Sequence, residues 1–277
     1  MDSAIASENR HRTIRMPTEL CFLDDGFASR SFGRRKLEEM VNLLTSVSIV
    51  IDLDGTARCE RHKAHEQLTE MLCILPRKFD DGKVSLTITD KLGVLRLDKF
   101  RNLMLERRSE MLFNEVHFAG GRKSPSRNQH SGMRSDAYGL KYLFSRSKSL
   151  RLTNVEFKSC YPDARVIIEC NPNLSNLAIE NSLICEPIQF LNPYNSRLKS
   201  ARITDSDLEI LDYKVFTNVQ TLEVAGNNTW IIEKVRGRAL RELYIKPDHT
   251  QLYLTKLNPF TPKLEFLQIR AHPQLKS

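Results

Sequence analysis

Five short segments in the second half of the chain share the form apolar-x-x-apolar-x-apolar. They are LSNLAI from Leu174, LKSARI from Leu198, VQTLEV from Val219, LRELYI from Leu240 and LEFLQI from Leu264. A degenerate copy precedes them, with Ser147, Leu150 and Leu152 in the three places. The second positions are Leu150, Leu177, Ala201, Leu222, Leu243 and Leu267, at spacings of 27, 24, 21, 21 and 24 residues. The alternation within each copy predicts one short strand whose apolar residues face inward while those between face outward. A single such strand cannot bury its apolar side alone, so the copies are expected to stack as a parallel sheet. DLEILDYKVFTN from Asp207 and TWIIEKVRG from Thr229 are expected to supply the helices or turns that cover its back.

These spacings fall in the 20–29 residue period of leucine-rich repeats. The fit to that pattern is imperfect at the turn after each strand. Its usual Asn is present only as Asn227, with Ser182, Ser206 and Asp248 in the equivalent places of other copies. Small polar side chains there can still bond the turn backbone. The alternative is an α/β domain whose strands are regular by coincidence.

Upstream, VSIVI (47–51), VSLTI (84–88) and FNEVHF (113–118) read as further strands, each after a plausible helix. In HEQLTEMLCIL (65–75), Leu68, Met71, Leu72 and Leu75 recur at helical spacing, and LDKFRNLMLERRSEML (97–112) is a second candidate. Residues 1–15 are polar without periodicity and read as a tail. The stretch 119–137, rich in Gly, Ser and basic residues, reads as an exposed loop whose Lys123-Ser124-Pro125 can accept phosphate. The expected fold class is therefore α/β: a leucine-rich-repeat-like solenoid of parallel strands backed by helices over 46–277, after a short helical segment over 16–45.

Composition narrows the function classes. The 277 residues are 40% apolar and 27% charged, ordinary for a globular chain large enough to bury a core. The net charge of +8 sits mostly in residues 1–150, with 26 basic and 20 acidic side chains against 16 and 14 in the remainder. That excess is diluted by acids and forms no long Lys/Arg stripe, which points away from nucleic acid as a partner. The six cysteines are scattered without close pairs, unlike a disulfide framework. No apolar stretch approaches the roughly 18 residues that span a bilayer, and the N-terminus lacks a secretory pattern. A cytoplasmic or nuclear protein is expected, and the sequon Asn227-Asn228-Thr229 is read as a turn.

SIVIDLDGT (48–56) is the strongest enzymatic signal, and it resembles the first motif of haloacid dehalogenase-type phosphatases. That resemblance implies Asp52 as nucleophile, Asp54 as general acid/base and a Mg²⁺ that offsets the charge of carboxylates and phosphate. Thr89 would then close the second motif, and Asp205 with Asp207 would complete the metal site. The plainer reading is a turn after a strand. Cys59, His62 and His65 do not have a standard zinc spacing, so no metal and no cofactor are expected. His117 reads as a half-exposed strand residue.

Met16-Pro17-Thr18-Glu19-Leu20 resembles the opening of a diverged F-box, and with the repeats behind it the chain resembles an F-box/leucine-rich-repeat protein. The resemblance implies that Met16, Pro17, Glu19 and Leu20 dock on a Skp-type adaptor of a cullin ubiquitin ligase, while the repeats hold a substrate protein. Asp24-Asp25-Gly26 departs from it by interrupting what should be a helix. The repeat register independently names an outward face: Asn176, Ala178 and Glu180; Ser200, Arg202 and Thr204; Thr221, Glu223 and Ala225; Glu242, Tyr244 and Lys246; Phe266, Gln268 and Arg270. Such a mixed polar surface, with Tyr244 and Phe266 as aromatic anchors, suits a protein partner better than a small ligand. The expected function is non-catalytic protein binding, with the phosphatase as its alternative.

Overall fold

In the computed structural model, the described residues are 11–16, 46–52, 84–90, 113–120, 134–135, 147–157, 168–170, 173–185, 187–190, 197–235, 238–247 and 263–270. Their dominant feature is one ten-stranded sheet in which every neighbouring pair is parallel. Its first four strands are β1 (His11–Met16), β2 (Ser46–Asp52), β3 (Val84–Asp90) and β4 (Phe113–Gly120). After β5 (Arg134–Ser135), which lies outside it, come β6 (Ser147–Thr153), β9 (Asn176–Glu180), β12 (Ser200–Thr204), β13 (Thr221–Gly226), β14 (Glu242–Pro247) and β15 (Phe266–Ile269). Helix is sparse among the described residues: a 3-10 turn at Tyr213–Asn218 and α1 at Ile231–Lys234. The fold is thus α/β-like, a parallel sheet with few helices.

The six second positions of the sequence pattern meet in one register: Leu150, Leu177, Ala201, Leu222, Leu243 and Leu267 are successive partners across β6 to β15. Leu86 and Val116 continue that column into β3 and β4. A second column runs Ile88, Phe118, Leu152, Ile179, Ile203, Val224 and Ile245. From Leu86 to Leu243 and from Ile88 to Ile245, every member of the two columns is at most 2% exposed. Fully burying a Leu, Ile or Val side chain contributes about 1.5–3 kcal/mol, so the columns form the sheet's main adhesive. Val215 and Phe216, in the 3-10 turn, are likewise fully buried. The columns end abruptly at β15, where Leu267 is 43% and Ile269 41% exposed.

Each strand from β6 to β13 leaves the sheet through one left-handed residue: Asn154 (φ 54°), Asn181 (φ 48°), Asp205 (φ 48°) and Gly226 (φ 62°). Asn, Asp and Gly are the residues that reach this conformation at least cost. The amides of Asn154, Asn181 and Asp205 donate to the carbonyls of Glu180, Thr204 and Ala225 on the following strand. Behind them runs a buried polar ladder. The Ser182 hydroxyl accepts from the Val155 amide, Ser206 Oγ from the Ser182 amide, and Asn228 Oδ1 from the Ser206 amide. Ser182, Ser206 and Asn228 are each at most 1% exposed.

Beyond the ladder the chain pairs again. β7 (Glu156–Phe157) lies between β5 and β10 (Leu183–Ile184), and Leu183 bridges onward to Asp207. A further strip joins β8 (Ile168–Cys170) to β11 (Ile188–Phe190), with Ile188 bridging to Ile210.

Several expectations are corrected. Residues 11–16 are not tail: β1 pairs with β2 along its whole length. An edge strand is held by one row of backbone bonds, so HRTIRM needed no apolar periodicity to form it. Met16 closes that strand and shares a register column with Ile51 and Ile88, while the rest of the expected helical segment, 17–45, lies outside the described residues. Ala119 and Gly120 belong to β4 rather than to a loop, and Arg134–Ser135 form β5. The turn position belongs to buried Asn228, not to exposed Asn227: left-handed Gly226 stands level with left-handed Asp205, but the side chain that meets the Ser206 amide comes two residues after it rather than one. The helices expected over 65–75 and 97–112, and Asp248, lie outside the described residues.

Candidate functional site

Parity along the strands places three rows of side chains on the face opposite the apolar columns. The first row reads Ser85, Glu115, Ser149, Asn176, Ser200, Thr221, Glu242 and Phe266 in successive register. The second reads Thr87, His117, Arg151, Ala178, Arg202, Glu223, Tyr244 and Gln268. In the third, Thr89, Ala119, Thr153, Glu180, Thr204, Ala225 and Lys246 follow one another, with Arg270 just past the end of β15. All nine partner-face residues named from the sequence, Asn176, Glu180, Arg202, Glu223, Glu242, Tyr244, Phe266, Gln268 and Arg270, therefore stand on one surface. Thr204 and Ala225 do not open to solvent, at 8% and 5% exposure. Both are small side chains with neighbours on two sides.

Charges on this face are linked. The Glu180 carboxylate, 14% exposed, sits 3.3 Å from Arg151 and 3.5 Å from Arg202, and Arg202 also reaches Glu223 at 3.2 Å. Four side chains from β6, β9, β12 and β13 thus form one chain of ion pairs. On the β4 side, His117 Nε2 lies 3.5 Å from the Thr153 hydroxyl. Burial, then the adjacent Arg151 cation, holds the His117 imidazole below its ordinary pKa of 6.5.

Towards β15 the face changes character. The Tyr244 and Phe266 rings are 5.4 Å apart at 45°, a tilted aromatic pair, and Phe266 is 46% exposed. The Tyr244 hydroxyl donates to Glu242 at 3.4 Å, and the Thr221 hydroxyl donates to the same carboxylate oxygen at 3.3 Å. Desolvation, then the negative Glu242, raises the Tyr244 pKa above its ordinary value, while Arg270 pulls it the other way. Lys246 and Arg270 are exposed, and among the described residues no carboxylate pairs with either.

Arg151, His117 and Glu115 were missed by sequence reasoning about the face. They sit on the degenerate copy and on FNEVHF, whose Val116 and Phe118 would have supplied the register had the template been extended upstream. Asp52 ends β2 and is the Cα partner of Thr89 on β3. Asp205 lies next to β12, five strands away from β2 in the sheet order, or roughly 24 Å at ~4.8 Å per strand. A shared Mg²⁺ needs ligand oxygens at about 2.1 Å. The structure therefore does not bring the Asp205–Asp207 pair to Asp52, and Asp205 instead occupies a left-handed turn.

Asp54, Cys59, His62, His65, Pro17, Glu19 and Leu20 lie outside the described residues, as does Lys123-Ser124-Pro125. Among the described residues no three His, Cys, Asp or Glu side chains cluster as metal ligands, and no helix is long and apolar enough to cross a membrane. No family model matches the chain, and no curated protein matches it.

Proposed function

We propose that the chain is a leucine-rich-repeat-type solenoid that acts as a non-catalytic protein-binding module. The observation that carries this reading is the three-row polar face. It spans consecutive strands in strict register, and two apolar columns and a buried polar ladder hold its backbone rigid from behind. A fixed backbone lowers the ordering cost of association, and a wide surface of mixed polarity with aromatic anchors suits a protein surface. The period of 21 to 27 residues between successive copies and the single left-handed Asn, Asp or Gly that closes β6, β9, β12 and β13 support the repeat assignment.

The narrower reading, substrate receptor of a cullin-type ubiquitin ligase, rests on Met16-Pro17-Thr18-Glu19-Leu20, of which Met16 lies in β1. Its test is co-expression with a Skp-type adaptor followed by size-exclusion chromatography, where separate elution would remove it. The module itself is tested by affinity capture with the wild type and with Arg202→Glu/Glu223→Arg. A partner retained by the first and lost by the second supports the reading, and identical retention defeats it.

One arrangement favours the phosphatase alternative: Asp52 stands beside Thr89 at the carboxyl ends of adjacent parallel strands. Mg²⁺-dependent hydrolysis of p-nitrophenyl phosphate that vanishes in Asp52→Asn would replace the binding reading with that one.

A further inference from the structure

We propose that the β14–β15 end of the polar face is a docking site for an acidic peptide segment with an aromatic or large aliphatic anchor. The inference rests on the protein-binding reading and locates its partner. In the middle of the face the charges are paired: Arg151, Glu180, Arg202 and Glu223 neutralise one another in a chain of contacts between 3.2 and 3.5 Å. A partner engaging those groups must first break existing pairs. At the β14–β15 end the situation reverses. Lys246 and Arg270 stand in the third row on neighbouring strands, about 4.8 Å apart in the pairing direction, with no carboxylate of the described residues to satisfy them.

The anchor surface lies beside these cations. Tyr244 and Phe266 form a ring pair 5.4 Å between centroids, with Phe266 nearly half exposed. Exposed aromatic side chains next to unpaired cations are the components from which tight contacts to acidic segments are built. Glu242, in the first row, sets the orientation. It already accepts from Thr221 and Tyr244 and repels a second carboxylate. The bound segment therefore lays its apolar side chain over the two rings and its acidic residues toward the third row.

The test is selection of a random dodecapeptide phage library on the full chain, followed by fluorescence anisotropy of one enriched labelled peptide. The expected result is enrichment of an aromatic or large aliphatic residue flanked by Asp or Glu. Binding should weaken at least about tenfold in Lys246→Glu/Arg270→Glu, and also in the milder Lys246→Gln/Arg270→Gln. Circular dichroism melts establish that each variant folds, and these exposed positions leave the core untouched. Enriched peptides without acidic residues, or equal affinity for both double variants and wild type, would overturn the inference. If peptides bind but are released by Arg202→Glu alone, the docking site fails while the protein-binding reading stands. Enrichment of nothing by any version of the chain would count against both.

Discussion

Asn227 and Asn228 are chemically identical neighbours whose removal should have opposite consequences. Asn228 is 1% exposed, and its side chain holds both backbone groups of Ser206: Oδ1 accepts from the Ser206 amide at 2.7 Å and Nδ2 donates to the Ser206 carbonyl at 2.8 Å. Ser206 is itself buried. Asn228→Ala therefore orphans one donor and one acceptor away from water, at about 1–3 kcal/mol each, so the expected loss is about 2–6 kcal/mol. Asn227 is exposed and stands outside the ladder, so Asn227→Ala should fall within about 0.5 kcal/mol of wild type. Asn228→Asp keeps the acceptor for the Ser206 amide but turns a carboxylate oxygen toward a carbonyl, and should be damaging too. Urea unfolding followed by circular dichroism gives the overall change. Folded chains can open locally, so hydrogen exchange at the Ser206 amide is the sharper assay and should accelerate in Asn228→Ala alone. Equal losses for the two alanine variants, or a loss under about 0.5 kcal/mol for Asn228→Ala, would refute the ladder argument.

Three further outcomes are expected. A Cβ on Gly120 would collide with the Asn154 backbone carbonyl in the next turn, so Gly120→Ala should cost about 1–3 kcal/mol in urea unfolding, and a neutral result would mean that the two turns are not packed together. His117 has a folded pKa below 6.5, so as pH falls the unfolded chain takes up its proton first. Its stabilising contribution is present above 6.5 and is lost as pH drops toward the folded value. Wild type should accordingly lose more stability than His117→Gln between about pH 7.5 and about pH 5.5, and parallel profiles would contradict the burial argument. Removing the shared anion in Glu180→Ala leaves Arg151 and Arg202 facing each other. Its cost should reach about 1–2 kcal/mol in low salt and shrink near 1 M NaCl, whereas a salt-independent cost would point to packing instead.

The sheet from β6 to β15 was legible because alternation and a near-constant spacing both survive in the sequence. Leu150, Leu177, Ala201, Leu222, Leu243 and Leu267 could be aligned without knowledge of the intervening chain. The outward face followed from parity. What stayed hidden depends on contacts distant in sequence. β1 owes its existence to β2, some 30 residues away, and HRTIRM carries no signal of that pairing. The shift from Asn227 to Asn228 lies in one extra residue after the turn at Gly226, and two adjacent Asn residues look alike to any pattern. The Arg151–Glu180–Arg202–Glu223 chain needed the register first, since its members come from four separate copies.

The left-handed residue that closes β6, β9, β12 and β13 has a consequence for how such a chain changes over time. The connections that follow these four strands vary from 15 residues (227–241) to 22 (154–175), yet the register columns stay aligned. Each turn resets the frame, so a gain or loss of residues in one connection is absorbed there and never propagates along the array. Only a few positions per copy are constrained: the inward apolar residues and one turn residue. The remainder is free to drift, including the outward polar rows. A surface built this way can change its side chains while its scaffold stands still, and its sequence can diverge without cost to the sheet.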